Sequence, residues 1–138
     1  APADGKVIQA VKDRITIFMS PSNVHVNRAP LDGLVRNIEY RKGTHLPAFM
    51  GRACKNQQNR MQLSTDDGEM ELRQITGTLV REIVCYVGPG DRVSRGERIG
   101  MIRFGSRVEV SIPLGYSLLV SEGDRVRAGQ TVIAVRNT

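Results

Sequence analysis

The sequence predicts a mostly β protein that folds as a small barrel or a two-layer β-structure. Its 138 residues include 14 glycines, 6 prolines and many valines and isoleucines, a composition that favours strands and turns over long helices. Two pairs of segments repeat along the chain, and each repeat reads as a turn that joins short strands. The length suits one domain with its own core, so we expect a single domain over residues 1–138.

The longer repeat relates VGPGDRVSRGERIGMI, which begins at Val87, to VSEGDRVRAGQTVIAV, which begins at Val120, at an offset of 33 residues. In each copy a Gly-Asp turn precedes a short alternating strand, and a second glycine turn leads to another strand. Glycine supplies the backbone angles of a tight turn, and the valines beside each Gly-Asp turn are predicted to face inward. Units of this form resemble those of lipoyl and biotinyl domains, which are small hybrid-motif β-barrels.

A shorter repeat, Ala-Pro-x-Asp-Gly-x-Val, begins at Ala1 and again at Ala29, and each copy predicts a turn that leads into a strand. Between the two kinds of repeat, NRMQLSTDDGEMELRQI predicts two strands joined by a turn at Asp67-Gly68. The polar KNQQN before it predicts an exposed loop. TLVREIVCYV, over residues 78–87, predicts a helical turn that runs into a strand. The chain is therefore expected to be a set of related hairpins.

The net charge of +6 restricts the kinds of partner. Basic proteins commonly bind nucleic acid or an anionic membrane surface. Aromatic residues make up only 4% of the chain, so side chains that could stack on bases are scarce, and we expect no nucleic-acid partner. The charge favours attraction to anionic lipid, with a simply solvated basic surface as the alternative.

Neither a transmembrane segment nor a metal site is expected. No apolar stretch approaches the length of a membrane span, and no signal-peptide pattern is present. Because the sequence opens abruptly at the turn-like APADG, we expect it to be the soluble part of something longer. Cys54 and Cys85 are well separated and form no CxxC pair. Because His25 and His45 lie near neither each other nor a cysteine pair, the sequence predicts no structural zinc.

The run MIRFGSRVEV reads as a strand that is interrupted by Gly105-Ser106. Glycine weakens a strand interior and serine adds little to a core, so the pair alone predicts a bulge or a bend. If a histidine acts as a general base in this protein, it is either His25 or His45. His25 lies in the alternating segment NVHVN, on the face of its asparagines and opposite its valines.

Three motifs together, PADGKV, SPSNVHVNRAP and RFGSRVEV, resemble those of the short prokaryotic phosphatidylserine decarboxylases. The resemblance covers nearly the whole chain, although KNQQN departs from the acidic and arginine-containing stretch that is usual there. Members of that family are proenzymes that cut themselves before the serine of a Gly-Ser pair, and the serine becomes a pyruvoyl group. The resemblance implies the catalytic set Asp4, His25 and Ser106 and cleavage between Gly105 and Ser106. Asp32, in PLDG, rivals Asp4 by internal similarity.

The implied chemistry begins with the Ser106 hydroxyl, which is a weak nucleophile until a base removes its proton. His25 would be that base, with Asp4 orienting the imidazole, and the hydroxyl would attack the carbonyl of Gly105. Elimination and hydrolysis would leave two chains, Ala1–Gly105 (the β chain) and Ser106–Thr138 (the α chain). The covalent pyruvoyl group at position 106 is the only cofactor expected.

The resemblance also implies the reaction and its location. The substrate would be phosphatidylserine or its archaeal counterpart archaetidylserine, and the products the ethanolamine phospholipid and CO2, with His25 as the acid that reprotonates the substrate carbon. The protein would associate peripherally with anionic phospholipid at the cytoplasmic face of the cell membrane. Association into a homo-oligomer is left open.

Two non-catalytic interpretations compete with this one. A lipoyl- or biotin-type carrier would need an exposed lysine at a hairpin tip between the longer repeats. The four lysines all lie outside those repeats, at Lys6, Lys12, Lys42 and Lys55. A silent β-barrel that binds lipid or protein would share the fold but would never cleave itself.

Overall fold

A computed structural model describes residues 1–19, 26–45, 47–48, 55–77, 83–102 and 106–138. Within these ranges the strands are β1 (Gly5–Val11), β2 (Arg14–Met19), β3 (Val26–Arg28), β4 (Gly33–Arg41), β5 (Gln58–Thr65), β6 (Gly68–Ile75), β7 (Ile83–Cys85), β8 (Arg92–Val93), β9 (Arg98–Ile102), β10 (Ser106–Ser111), β11 (Tyr116–Leu118), β12 (Arg125–Val126) and β13 (Ala134–Arg136). The predicted mostly β class is confirmed. The same ranges contain no helix that is long and apolar enough to cross a membrane.

In the described ranges the strands form three antiparallel sheets. Eight strands make the large sheet, in the order β12-β1-β2-β10-β6-β5-β4-β8, while β3-β9-β7 and β11-β13 make two small ones. Buried side chains from the large sheet and from β9 share one apolar core, and residues of β11 and β13 pack against it. The structure therefore agrees with the predicted set of hairpins around a common core.

The core face of the large sheet follows from the alternation of side chains along its strands. Val108 of β10 lies opposite Ile17 of β2, and both are fully buried. Ser106 lies opposite Met19 two residues away, and both of these are also fully buried. Because residues two apart on a strand share a face, Ser106 points to the same core as Val108.

The two copies of the longer repeat occupy opposite edges of the large sheet. β8, from the first copy, pairs with β4, and β12, from the second, pairs with β1. Val93 and Val126, which follow the Gly-Asp turns, are buried. Gly90 and Gly123 have φ angles of 93° and 97°. Both predictions for this repeat, the glycine turns and the inward valines, are confirmed.

The equivalence of the two copies ends after their second glycine turn. Ile99 of the first copy is buried in β9, whereas its counterpart Val132 is 59% exposed and the next residue, Ile133, is buried instead. The difference arises because β9 pairs with β3 and β7, while the second copy continues to β13, which pairs with β11.

The run MIRFGSRVEV is divided between two sheets. β9 ends at Ile102 in the three-stranded sheet, and β10 begins at Ser106 in the large sheet. The prediction that this run forms one strand was therefore wrong, while the predicted bulge or bend falls largely on residues 103–105, which lie outside the described part of the chain. Each half of the run is a strand, so apolar and polar residues alternate both before and after the Gly-Ser pair. This alternation does not show that the chain changes sheets between the two halves. Gly105 lies outside the described residues.

The hairpin between the repeats is confirmed as β5 and β6. Its turn lies at Asp66-Asp67, one residue earlier than predicted, and Gly68, with a φ angle of 120°, opens β6. β7 confirms the strand part of the prediction for residues 78–87, while residues 78–82 lie outside the described part of the chain. Cys54 also lies outside it.

The prediction of an exposed loop at KNQQN was wrong. Residues 56–59 are buried, and the last two belong to β5. Their amides have internal partners: Asn56 Nδ2 donates to the Thr76 carbonyl at 2.6 Å, and Asn59 Nδ2 donates to Gln74 Oε1 at 3.1 Å. Polar composition alone does not distinguish a loop from a buried, hydrogen-bonded strand end.

Candidate active site

Ser106 is the first residue of β10 and is fully buried. Within the part of the chain that the structure describes, no group hydrogen-bonds to its Oγ. Leaving a buried polar group without a partner costs about 1–3 kcal/mol. Such exceptions are rare in folded proteins and often have a catalytic explanation.

The start of β10 is connected to the start of β3 through Met19. Met19, the last residue of β2, lies opposite Ser106. Val26, the first residue of β3, lies opposite Met101 near the end of β9. Asn27 joins the two strand pairs, because its Nδ2 lies 3.8 Å from the Sδ of Met19. The start of β3 is thus held close to the start of β10.

Two of the predicted site residues immediately precede these strands. His25 comes before Val26, and Gly105 comes before Ser106. Both lie outside the described residues, so their predicted roles remain predictions. The strand pairs fix the positions of Ser106 and Val26, which follow Gly105 and His25 in the sequence.

Asp4 is half-buried in the turn before β1. Its Oδ1 accepts a hydrogen bond from the Ala128 amide at 2.6 Å. Asp4 and Val26 line the same cavity, of about 220 Å³. This carboxylate therefore lies on a cavity wall that also includes the residue after His25.

The rival aspartate, Asp32, has the same local structure in the other repeat. Its Oδ1 accepts from the Arg95 amide at 2.6 Å, and Arg95 precedes Ala128 by the repeat offset of 33 residues. Both aspartates therefore satisfy the same kind of turn. They differ in their surroundings, because Asp32 is exposed whereas Asp4 shares a cavity with Val26.

The second histidine, His45, already has a partner. Its Nε2 lies 2.8 Å from Gln57 Oε1, and the Gln57 amide donates to the Tyr40 hydroxyl. Ala48, three residues after His45, accepts a hydrogen bond from Arg107, which points away from Ser106. The segment that carries His45 therefore reaches the face of β10 opposite the candidate nucleophile.

A chain of three buried carboxamides, which sequence reasoning missed, leads to Met19, the residue opposite Ser106. Asn59 Nδ2 donates to Gln74 Oε1 at 3.1 Å, and Gln74 Nε2 donates to Asn27 Oδ1 at 2.9 Å. Asn27 Nδ2 then faces Met19, the cross-strand partner of Ser106. The sequence signal that could have found them is the alternation of inward and outward residues along a strand, because Asn59 and Gln74 occupy inward positions of β5 and β6.

A larger cavity, of about 560 Å³, lies elsewhere, and Ser106 does not line it. Three of its polar side chains are paired with one another: the Tyr116 hydroxyl donates to Asp67 at 2.6 Å, and Arg136 lies 3.1 Å from the same carboxylate. The hydrogen bond to Asp67 raises the pKa of Tyr116. We therefore place the candidate chemistry at Ser106, where a buried polar group has no partner among the described residues, and not in the larger cavity.

Comparison with known proteins shows the family to which this chain belongs. The family model described as phosphatidylserine decarboxylase matches residues 1–134. The chain belongs to the phosphatidylserine decarboxylase family. No solved structure gives a significant match.

Relatives in this family include archaeal and bacterial proteins. A protein named putative archaetidylserine decarboxylase proenzyme, from Methanosarcina acetivorans, is 50% identical over 134 residues, which are 97% of this chain and 64% of that protein. Phosphatidylserine decarboxylase proenzymes are 47% identical in Thermobifida fusca (94% of this chain, 62% of the relative) and 42% identical in Pelodictyon phaeoclathratiforme (97% and 68%). The chain thus spans about two thirds of the length of these relatives.

The surroundings of Ser106 fit the covalent pyruvoyl group that this decarboxylase family implies. The hydroxyl is buried and, among the described residues, without a partner, and an amide donor lies beside its cross-strand neighbour. On the opposite face of β10, Arg107 and Glu109 form a nearly buried ion pair at 3.2 Å, which fixes the strand immediately after the serine. In the described ranges no cluster of side chains could hold a metal ion.

Proposed function

We propose that this chain carries the catalytic site of a decarboxylase acting on phosphatidylserine or archaetidylserine, and that it cuts itself before Ser106. The observation that carries the proposal is the buried Ser106 hydroxyl without a described partner, at the first position of a strand in a chain that belongs to this family. The relatives named as proenzymes support the self-cleavage. Residues 1–105 and 106–138 would then be two chains of one folded unit.

The proposed cleavage needs only this chain and water. His25 takes the proton of Ser106 Oγ, which attacks the Gly105 carbonyl, so that an ester C–O bond replaces the peptide C–N bond. Elimination breaks the ester and releases Gly105 as a carboxylate, leaving dehydroalanine at position 106. Addition of water with loss of ammonia produces the pyruvoyl group. Because attacker and target are adjacent in the chain, correct orientation supplies an effective molarity of about 10⁵–10⁸ M.

Asp4 is the residue proposed to orient His25. In support, Asp4 lines a cavity together with Val26, the residue that follows His25. An aspartate that accepts from an imidazole fixes its tautomer and stabilises the imidazolium that forms. Asp32 is not proposed for this role because it is exposed in the equivalent turn of the other repeat.

In the proposed decarboxylation, position 106 would carry the pyruvoyl group, which would supply an electrophilic carbonyl for the substrate amine and an electron sink for the loss of CO2. The residues of the chain position the substrate and move protons. His25 delivers a proton to the substrate carbon, a contribution typically of about 10²–10⁴-fold. Buried apolar residues such as Met19 and Val108 exclude water from the reacting end of β10.

Phosphatidylserine and archaetidylserine share the serine phosphodiester headgroup, so the same chemistry serves both. We also propose that the protein works at the cytoplasmic face of the membrane as a peripheral protein. The net charge of +6 supports this, because each Lys or Arg near an anionic leaflet contributes about 1 kcal/mol.

Intact mass under denaturing conditions, followed by a CO2-release assay, tests the proposal. We expect two fragments that meet between Gly105 and Ser106, the smaller one lighter by one ammonia than simple hydrolysis would leave it. Ser106→Ala should stay whole and inactive, whereas the matched control Ser111→Ala, at the other end of β10, should cleave normally. A wild-type chain that stays whole on long incubation, or a Ser106→Ala chain that still splits at this bond, would contradict it.

A further inference from the structure

The cavity shared by Asp4 and Val26 has features that the proposed cleavage does not use. Its lining residues are Asp4, Val26, Arg28, Arg98, Arg127, Ala128 and Gln130. Its volume is about 220 Å³, against about 30 Å³ for one water in the liquid, so a phosphate group fits inside.

Positive charge dominates this cavity. Three arginines line it against one carboxylate, Asp4, whose Oδ1 already accepts from the Ala128 amide. None of these three arginines forms an ion pair with another described residue. Arg28 and Arg98 also lie directly opposite each other on β3 and β9, where like charges destabilise a strand pair. An anion bound between them would remove that repulsion.

The fold holds Arg28 in place before any ligand binds. Its Nη1 donates to the Gly96 carbonyl at 2.6 Å. A Cβ at Gly129 would lie only 2.9 Å from Arg28 Cδ, so a larger residue at this position would displace the arginine side chain. Gly96 and Gly129 are the second turn glycines of the two longer repeats. The repeats therefore fix one guanidinium between them, which lowers the entropy cost of using it in binding.

We propose that Arg28, Arg98 and Arg127 form a subsite for the phosphodiester of the serine headgroup. This inference rests on the function proposed above. Guanidinium groups bind phosphate oxygens through paired, charge-assisted hydrogen bonds. In the substrate, one oxygen and one methylene separate the phosphorus from the carbon that loses CO2. The cavity includes Val26, the residue that follows the proposed acid His25 in the sequence, and a link this short needs the phosphate site to lie near that acid.

A binding experiment on uncleaved Ser106→Ala protein tests the subsite without any catalysis. The probe is glycerophosphoethanolamine, a soluble diester, and its Kd is measured by calorimetry. Arg98→Gln with Arg127→Gln should raise the Kd by at least about ten-fold. The matched control Arg125→Gln removes one exposed charge from neighbouring β12 and should leave the Kd unchanged. Equal weakening by the control and the double variant would reduce the effect to general surface charge and overturn the inference.

A titration with inorganic phosphate distinguishes a site for the headgroup phosphodiester from a site for free phosphate. We expect it to bind more weakly than the diester, and binding as tight as that of the diester would overturn the assignment to the headgroup. When the same two substitutions are made in the chain that keeps Ser106 and cleaves itself, they should raise KM for glycerophosphoserine far more than they lower kcat. Absence of cleavage in the wild type would contradict the proposed function, whereas an unchanged Kd and KM in the double variant would contradict only the subsite.

Discussion

Asn27 is a buried donor whose orientation is fixed by its neighbour. Its Oδ1 accepts from Gln74 at 2.9 Å, so its Nδ2 must point the other way, toward the sulfur of Met19 at 3.8 Å. A thioether is a weak acceptor. This N–H therefore keeps most of its capacity to donate, next to the residue that pairs with Ser106. A preorganised donor of this kind suits the negative charge that develops on a carbonyl under attack.

We predict that Asn27→Asp slows self-cleavage by about 10²–10³-fold, the usual cost of losing one oxyanion donor. The change keeps the shape of the side chain but replaces the donor by an acceptor. The time course of cleavage, followed by intact mass, measures the effect. Asn37→Asp, on the exposed surface of β4, is the control for the added charge. Asn27→Ser is the second variant in case the buried aspartate prevents folding, and a folded Asn27→Ser or Asn27→Asp that cleaves at the wild-type rate contradicts the prediction.

At the scale of elements, β10 is anchored through both of its faces. Its inner face carries Ser106 and buried valines, and its outer face carries the Arg107–Glu109 ion pair. Glu109 also lies 3.5 Å from the Thr16 hydroxyl, and Arg107 Nη1 lies 3.4 Å from the Ala48 carbonyl. A charge pair this deeply buried adds little stability relative to a pair of apolar side chains. Removing only one of the two charges is nevertheless strongly destabilising, because it leaves the other charge buried without its partner.

Glu109→Gln should therefore lower the free energy of unfolding by about 3 kcal/mol, because it leaves a buried guanidinium without its carboxylate. Urea denaturation in the uncleaved Ser106→Ala background measures this, since the chain is then covalently uniform. Glu39→Gln is the matched control: Glu39 pairs with Arg41 at 3.0 Å and the same spacing, but on the surface, and it should cost less than about 1 kcal/mol. Equal losses in the two variants would show that burial does not matter here.

The β5–β6 hairpin carries a charge cluster that makes stability depend on pH. Burial acts to raise the pKa of Glu71, but the hydrogen bonds and charges of Arg73, at 2.5 Å, and Arg60, at 2.8 Å, outweigh it, and the net pKa lies below the usual 4.5. A lowered pKa means that the unfolded chain binds a proton more readily than the folded one. The stabilisation is therefore present above pH 4.5 and is lost as the pH falls through the lowered value.

We predict that Glu71→Gln is less stable than the parent protein at neutral pH, and that this difference disappears in acid. Urea unfolding over a pH series measures it, again in the Ser106→Ala background. Glu69→Gln is the control, because Glu69 accepts from the neutral Ser64 hydroxyl in the same hairpin and lies at the surface. A stability difference for Glu71→Gln that persists unchanged well below pH 4.5 would mean that the carboxylate charge is not its source.

These elements also mark what the sequence can predict and what it cannot. The repeats and the β5–β6 hairpin were predictable because glycine and aspartate specify turns locally. The division of the Gly-Ser run between two sheets was not, since alternation looks the same in either sheet. KNQQN was misjudged because its amides find partners far along the chain, such as Gln74 for Asn59. Ser106 was predicted from its motif, but its burial depends on the pairing of β10 with β2.

At the scale of the whole molecule, the proposed cut divides the chain without dividing the fold. β10 lies in the middle of the large sheet, paired with β2 on one side and β6 on the other. β12, from the same segment, closes an edge of that sheet against β1. Val108, Val110 and Val126 bring the segment into the common core. Residues 106–138 are therefore held by sheet hydrogen bonds and apolar contacts that cleavage leaves in place.

The two fragments of the cleaved protein should consequently stay together in the folded state and separate only when the protein unfolds. We expect the two fragments to elute together in native buffer, at the same volume as uncleaved Ser106→Ala. Because unfolding of the cleaved form releases two molecules, ten-fold dilution should lower its stability by about 1.4 kcal/mol, whereas the stability of Ser106→Ala should not depend on concentration. Urea denaturation at two protein concentrations measures both. A free 106–138 peptide in native buffer would show that these strands need the covalent link, and the fold would then not survive the reaction proposed for it.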